Sequence, residues 1–113
     1  MLDKCYTYMV ECRNGNLYTG ITDNLIRRME QHRKGLGARY IRMCGFKSVA
    51  FVEEHPDRSA AMKRENELKA LPKKEKMRLA IEEAGKTKNL LDRWGLEKDL
   101  TTSFDAMKDA LEL

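Results

Sequence analysis

The chain has 113 residues, of which 42% are hydrophobic and 35% charged, and its formal net charge is +4. This length suits a single domain with its own hydrophobic core, and no apolar run is long enough to span a membrane. Three widely spaced cysteines predict neither a disulfide framework nor a zinc site, so we expect reduced thiols in a cytoplasmic protein without a signal peptide.

Two strand-like runs near the start of the chain flank an Asn-Gly pair, which is the strongest short-range signal for a β-hairpin. After a short lead-in over residues 1–4, we predict a first strand that ends at residue 12 and a second strand over residues 16–21. Apolar side chains fall on both faces of the first strand. We therefore expect this strand to be central in the sheet and covered on both sides.

The length of the hairpin loop decides which faces the two hairpin tyrosines occupy. A two-residue turn at Asn14-Gly15 would put Tyr8 and Tyr18 on opposite faces of the sheet. A three-residue loop, with Gly15 in the left-handed conformation, would set Tyr8 opposite Gly20 and bring both phenols to one face. We expect the three-residue loop, with Gly20 leaving open space across from Tyr8.

A helix follows the hairpin, over residues 25–34, with Asp23 or Thr22 as its N-cap and Gly35 as its stop. Its expected core stripe consists of three apolar residues: Leu25, Ile26 and Met29. Arg28 and His32 lie beside this stripe with i, i+4 spacing. The helix is therefore expected to carry a guanidinium and an imidazole together on one inward edge.

Basic residues are concentrated from this helix into the segment that follows it. Residues 35–45 are predicted to form a mobile loop that contacts a substrate as a flap. Between Arg27 and Arg42 there are six basic residues and one acidic residue. Such a cluster suits the phosphate backbone of nucleic acid, although a solvated helix face is the simpler explanation. The basic residues are Arg27, Arg28, Arg33, Lys34, Arg39 and Arg42.

A third strand is predicted over residues 47–54, and a second helix, capped by Asp57 or Ser59, over residues 60–71. The inward stripe of this helix contains three apolar residues and one carboxylate: Ala61, Met62, Glu65 and Leu68. A carboxylate on an apolar face is costly unless it is paired or bound to a metal. Glu65 is therefore a candidate functional residue.

The rest of the chain is predicted to be helical. Pro72 suits the first position of a third helix, which we expect to stop at Gly85. Two short amphipathic helices follow, and the second begins near Thr102 or Ser103. The predicted fold class is α+β, with a three-stranded antiparallel sheet flanked by helices and a helical C-terminal extension.

The spacing of these residues resembles that of the GIY-YIG nuclease family. The two family triads correspond to Tyr6-Thr7-Tyr8 and Tyr18-Thr19-Gly20, and the downstream positions to Arg28, His32 and Glu65. The similarity is greatest to the small single-domain bacterial branch and more distant to the N-terminal nuclease domain of the bacterial excision-repair endonuclease. It covers most of an ordinary domain, from residue 4 to about residue 80.

The resemblance implies a GIY-YIG-like nuclease domain over residues 1–84 and an extension over residues 85–113 that packs on this domain or on a partner. Two positions depart from the family pattern. The Gly and Ile of the first triad are replaced by Tyr6 and Thr7, and Met77 stands where some members carry an asparagine. The first change keeps the triad tyrosine, whereas the second leaves the role of that asparagine unfilled.

The activity implied is that of an endonuclease that hydrolyses phosphodiester bonds in DNA with one Mg²⁺ or Mn²⁺ ion. Glu65 would hold the ion and Arg28 would clamp the scissile phosphate. Tyr8 would take the proton of the attacking water, with Tyr18 and His32 orienting it, or the two tyrosines would exchange roles. Because the pKa of a free phenol is about 10, we expect Arg28, a charged His32 or the metal to lower it.

Each of these residues also has a purely structural explanation. Tyr8 and Tyr18 are ordinary strand aromatics on this view, and Glu65 is the i, i+4 partner of Lys69. The alternative function is a non-catalytic module that binds nucleic acid or protein on the same scaffold. The sequence leaves open the choice between DNA and RNA, any preference for branched or damaged substrates, and the oligomeric state.

Overall fold

A computed structural model describes residues 4–112. Its three strands are β1 (Cys5–Cys12), β2 (Leu17–Thr22) and β3 (Phe46–His55). They form one antiparallel sheet in the order β2-β1-β3. All eight residues of β1 are buried, which confirms that this strand is central and covered on both faces. Of the predicted lead-in, residues 1–3 lie outside the described range.

The hairpin between β1 and β2 has the predicted three-residue loop. Tyr8 pairs with Gly20 and Val10 pairs with Tyr18. Gly15 has a φ of +87°, a left-handed conformation that a residue without a Cβ adopts at little cost. Tyr8 and Tyr18 therefore project from the same face of the sheet.

The helices of the described residues surround this sheet. They are α1 (Leu25–Arg33), α2 (Arg39–Cys44), α3 (Arg58–Lys69), α4 (Lys73–Glu82), α5 (Ala84–Arg93) and α6 (Phe104–Leu111), with a short 3-10 helix over Glu97–Asp99. Asp57 caps α3 by accepting a hydrogen bond from the backbone N–H of Ala60. Of the two predicted caps, Asp57 and Ser59, the structure has the first. Across residues 4–112, no helix is long and apolar enough to cross a membrane.

The predicted boundaries of two helices are wrong in detail. α1 is capped by Asn24, whose side chain accepts a hydrogen bond from the backbone N–H of Arg27 at 3.0 Å, and not by Asp23 or Thr22. The helix after Pro72 ends before Gly85, which lies inside α5. Gly85 does not have the positive φ that makes glycine a helix stop.

The predicted flap and the predicted core stripes also need correction. The segment over residues 35–45 contains the helix α2, whose six residues are too few to show a helical period in the sequence. Ile26 and Met62 are 47% and 46% exposed. The buried stripes of α1 and α3 are narrower than predicted, because residues next to the stripe already turn toward solvent.

Each face of the sheet carries its own hydrophobic core. On one face Tyr6, Tyr8 and Val10 pack with Leu25 of α1 and Leu91 of α5. The other core joins the opposite side of β1 to α3, α4 and α6, through Met9, Leu68, Met77 and Met107. The C-terminal extension therefore contributes to both cores.

Hydrogen bonds also hold the extension to the sheet. The backbone N–H of Thr101 donates to the carbonyl of Val49 at 2.8 Å, and its hydroxyl donates to Glu11 at 2.7 Å. Ser48 donates to the same carboxylate at 2.9 Å. Although burial raises the pKa of Glu11, these hydrogen bonds outweigh it and hold the pKa below its usual value. A buried, ionised carboxylate thus joins β1, β3 and the extension.

Candidate active site

Tyr8 lies at the centre of the candidate site, and its ring is fully buried. Its hydroxyl reaches over Gly20 of β2, where an added Cβ would lie 2.7 Å from Tyr8 Oη and 2.8 Å from Cζ. The predicted open space at Gly20 is therefore wrong, because the ring of Tyr8 itself fills it. Only glycine at position 20 lets the phenol reach this place.

Two side chains of α1 meet the Tyr8 hydroxyl. His32 Nε2 lies 2.8 Å from Tyr8 Oη, and Arg28 Nε donates to the same oxygen at 3.4 Å. Arg28 also donates from Nη1 to Gln31 at 3.0 Å. Arg28 and His32 are one helical turn apart, so α1 presents both to β1 as their i, i+4 spacing predicts.

Tyr18 faces the same imidazole from β2. Its ring centroid is 6.1 Å from that of His32 in an edge-on arrangement, and it stacks on Tyr40 of α2 at 6.2 Å. The hydroxyl of Tyr40 accepts a hydrogen bond from Asn16 Nδ2 at 2.6 Å. The segment predicted as a substrate-contacting flap therefore lies at the rim of the site, as a short helix anchored to the hairpin.

Burial determines the charge states at the centre of the site. Burial raises the pKa of Tyr8 to about 12, and the hydrogen bond and charge of Arg28 only partly oppose this. Burial, followed by the charge of Arg28, lowers the pKa of His32 to about 4. At neutral pH both side chains are uncharged, so the expectation of a charged His32 is wrong.

These charge states orient the hydrogen bond between the two rings. The Tyr8 hydroxyl carries one hydrogen and has no other acceptor in the described part of the chain, so it donates to His32 Nε2. His32 Nδ1 then carries the imidazole hydrogen, and this buried atom has no partner among residues 4–112. One lone pair of the phenol oxygen accepts from Arg28, and the other is left for a further donor.

Gly37 is a site residue that the sequence did not single out. An added Cβ at Gly37 would clash with His32 Nδ1, so this glycine packs against the imidazole on the side opposite Tyr8. Phe46 stacks on the same imidazole at 6.4 Å. Gly37 lacks the positive φ of a turn glycine, and therefore only its tertiary contact reveals its role.

Glu65 of α3 is sheltered but not isolated. Its side chain is 18% exposed, and Oε2 lies 3.2 Å from Nζ of Lys69. Its negative charge is one of the influences that raise the pKa of Tyr8, so the carboxylate is near the phenol. Glu65 thus combines the sheltered position expected of a ligand with the i, i+4 ion pair of the simpler explanation.

The predicted phosphate-contacting residues differ in what they already bind. Arg39 and Arg42 of α2 are exposed and form no ion pair within the described residues. Three others are paired with nearby carboxylates: Arg27 with Asp23, Arg33 with Asp99 and Lys34 with Glu30. Surface ion pairs contribute at most about 1 kcal/mol, so a phosphate can displace the carboxylates. Within residues 4–112, Arg39 and Arg42 have no carboxylate partner to give up before they bind a phosphate.

Two lysines extend this basic surface across the hairpin, and the sequence did not single them out. Lys73 and Lys76 of α4 line a cleft of about 220 Å³ together with Asn16 and Tyr40. Burial, and then the charge of Lys69, lower the pKa of Lys76. An anionic group in this cleft would stabilise the charged form of Lys76.

The buried imidazole predicts a loss of stability in mild acid. The pKa of His32 is lower in the folded chain than the usual value of 6.5, so protons favour the unfolded chain as the pH falls below 6.5. Between pH 7.5 and pH 5 we expect the free energy of unfolding, measured with urea, to fall by about 2 kcal/mol.

Substitution of each of the two histidines tests this assignment. His32→Gln should be less stable at pH 7.5, and its stability should change little down to pH 5. His55→Gln, which removes the other histidine, should keep the pH dependence of the wild type. Equal stability of the wild-type chain at the two pH values would show that His32 is not held neutral.

Comparison with known proteins identifies the region that carries this site. The family model for the GIY-YIG catalytic domain matches residues 4–78. That range contains Tyr8, Tyr18, Arg28, His32 and Glu65. The helices α5 and α6 lie beyond it.

Similar proteins match this chain over about 80 residues, which is most of their own length. A UPF0213 protein of Oceanobacillus iheyensis is 40% identical over 79 residues, which are 70% of this chain and 92% of that protein. The UPF0213 protein YhbQ of Escherichia coli O8 is 41% identical over 80 residues, 71% of this chain and 80% of that protein. The solution NMR structure of a UPF0213 protein from Bacillus halodurans is 36% identical, with a TM-score of 0.44, and the match covers 67% of this chain and 81% of that one. The chain belongs to the GIY-YIG catalytic-domain family.

Proposed function

We propose that this protein is a divalent-metal-dependent endonuclease that hydrolyses phosphodiester bonds in DNA. The observation that supports it most strongly is the position of the Tyr8 hydroxyl, 2.8 Å from a neutral imidazole and 3.4 Å from a guanidinium. A tyrosine that serves only packing does not need both partners. A phenol in this setting is equipped to accept a proton and to pass its own proton on.

The charge states favour a proton relay through Tyr8. A phenol whose pKa is about 12 is protonated at neutral pH and is a weak base by itself. In the proposed step, the Tyr8 oxygen takes a proton from the attacking water while the Tyr8 hydroxyl proton moves to His32 Nε2. The tyrosine stays neutral throughout, and the positive charge appears on His32.

Arg28 has two roles in this proposal. Its guanidinium binds the scissile phosphate, for which Nη2 is available because it has no partner in residues 4–112. The bound phosphate also offsets the positive charge that helps to lower the pKa of His32. Substrate binding therefore makes His32 a better proton acceptor at the moment when the relay requires one.

Glu65 is the residue that would hold a Mg²⁺ or Mn²⁺ ion. The described residues contain no group of three or more His, Cys, Asp or Glu side chains that fits a metal. One sheltered carboxylate suits a hard cation that keeps several waters and also binds a substrate phosphate. The bound ion would supply charge neutralisation at the phosphate. The ion pair with Lys69 uses Oε2 of Glu65 and is of a kind worth about 0.3–0.5 kcal/mol, so it would be a weak competitor for the ion.

Two observations favour the alternative function, a non-catalytic nucleic-acid-binding module. Glu65 forms an ion pair with Lys69, and Met77 is buried in the core where some family members carry an asparagine. The same basic surface, including Arg39 and Arg42, would serve either function. A direct test of cleavage separates the two.

The experiment is a cleavage assay on single-stranded, duplex and branched DNA, with Mg²⁺ or Mn²⁺ and with a chelator. We expect metal-dependent cleavage that the chelator abolishes. Glu65→Gln should raise the metal concentration needed for half-maximal activity and lower the rate. Glu67→Gln, which removes an exposed carboxylate of the same helix, is the matched control and should behave as the wild type. Absence of cleavage of every substrate with either metal would leave the binding module as the function.

A further inference from the structure

A larger cleft, distinct from the candidate active site, opens at the end of the sheet where β1 begins and β3 finishes. Its volume is about 730 Å³, and its walls come from the start of β1, the starts of α1 and α3, and the end of α5. Cavities of this size accommodate small ligands or parts of larger ones. Tyr8 and the residues that contact its hydroxyl do not line it.

An indole forms the aromatic part of this cleft. Trp94 is 40% exposed, and its ring lies edge-on to Tyr6 with the centroids 6.1 Å apart. Tyr6 is itself buried, and its hydroxyl donates to Glu54 at 3.1 Å. The fixed phenol supports the indole and leaves part of it open to the cleft. Stacking of a nucleobase on an aromatic side chain contributes about 1–3 kcal/mol.

The charged residues of the cleft leave one cation available. Arg93 and Lys4 are both bound to Glu54, at 2.9 Å and 3.3 Å. Arg58, the first residue of α3, is exposed and has no ion-pair partner within residues 4–112. It is therefore placed to bind a phosphate. Two further carboxylates line the cleft: Asp23, which is paired with Arg27, and Asp57, which caps α3. Their remaining lone pairs can accept hydrogen bonds from a base amino group, and their charges would repel a second phosphate.

We propose that this cleft binds an unpaired nucleobase, which stacks on Trp94 while its phosphate pairs with Arg58. This inference rests on the proposed function, since it specifies the kind of DNA that the nuclease takes. The bases of an intact duplex are paired and stacked, so they do not reach an indole inside a cleft. The cleft therefore selects strands with a single-stranded or extruded nucleotide.

The C-terminal extension supplies this selectivity. Arg93 and Trp94 lie beyond residues 4–78, the range that the family model matches. Their positions are set by Leu91 and Leu96, which are buried in the same core as Tyr8. The extension thus adds a base-binding cleft to a domain whose catalytic side chains it does not supply.

Trp94 is the only tryptophan of the chain, so its fluorescence reports on the cleft directly. The full chain is titrated, with a chelator present to prevent cleavage, with a single-stranded oligodeoxynucleotide and with a duplex of equal length. We expect the single strand to quench Trp94 emission in a saturable way and the duplex to quench it much less. Binding of a labelled strand is measured in parallel by fluorescence anisotropy.

Three variants test the contacts. Trp94→Ala should weaken single-strand binding by about 5- to 150-fold, and Trp94→Phe, which keeps a stacking surface, should weaken it less. Arg58→Gln should also weaken it, whereas Arg78→Gln, an equal charge change at an exposed position of α4, should not. Thermal unfolding of each variant shows whether the fold persists.

The outcomes separate this inference from the proposed function. If the single strand binds but neither quenches Trp94 nor binds less tightly to Trp94→Ala, the cleft does not hold a base. That result would leave the proposed nuclease function standing. If the chain binds no single strand at all, the inference is wrong as well. Failure of cleavage in the metal-containing assay, with quenching of Trp94 intact, would instead overturn only the nuclease assignment.

Discussion

Tyr8→Phe is expected to slow DNA cleavage by about 10²–10⁴-fold, the usual contribution of a general acid–base group. The substitution deletes one oxygen and keeps the ring that fills the space over Gly20. It removes both the acceptor for the water proton and the hydrogen bond to His32 Nε2. Substrate binding should change much less than turnover, because Arg28 and the basic surface that includes Arg39 and Arg42 are still present.

Two further tyrosine variants make this result specific. Tyr6→Phe removes another phenol oxygen on the same strand, bonded to Glu54, and should lower turnover much less than Tyr8→Phe. Because Tyr6 supports Trp94, its effect is expected on substrate binding. Tyr18→Phe tests the exchanged assignment, in which Tyr18 is the base. Full activity of Tyr8→Phe with loss in Tyr18→Phe would transfer the role to Tyr18. Full activity of both would exclude a tyrosine base.

Gly20→Ala is expected to lower cleavage by about 10²-fold, although position 20 contributes no chemical group. The new methyl would lie 2.7 Å from Tyr8 Oη, and the fully buried ring of Tyr8 has no space into which it can withdraw. The phenol must therefore shift away from His32. The overpacking should also lower the free energy of unfolding by about 1–3 kcal/mol.

Gly85→Ala is the matched control for this substitution. Apart from its chain neighbours and the backbone of its own helix, no atom of residues 4–112 lies within 4 Å of an added Cβ at Gly85, which sits in the first turn of α5. Alanine should leave cleavage unchanged and stabilise the helix by about 0.5–1 kcal/mol. If Gly20→Ala also kept wild-type activity, the position of the Tyr8 hydroxyl over β2 would not matter for catalysis.

Local patterns in the sequence determined the sheet and the outline of the site. The Asn-Gly pair located the hairpin, and the three-residue loop with its left-handed Gly15 sets the register that places Tyr8 and Tyr18 on one face. The i, i+4 spacing places Arg28 and His32 on one edge of α1. Such features depend on contacts between residues close in the chain, and for that reason they can be read without the fold.

Only the tertiary structure decided the electrostatics and the close packing of the site. Whether His32 is charged depends on how deeply α1, β1 and the segment around Gly37 bury it, and these elements are distant in sequence. The same holds for the space over Gly20, which the ring of Tyr8 fills from the neighbouring strand. The cleft at Trp94 forms only when the end of α5 meets the first strand, because no sequence period records contacts across so many residues.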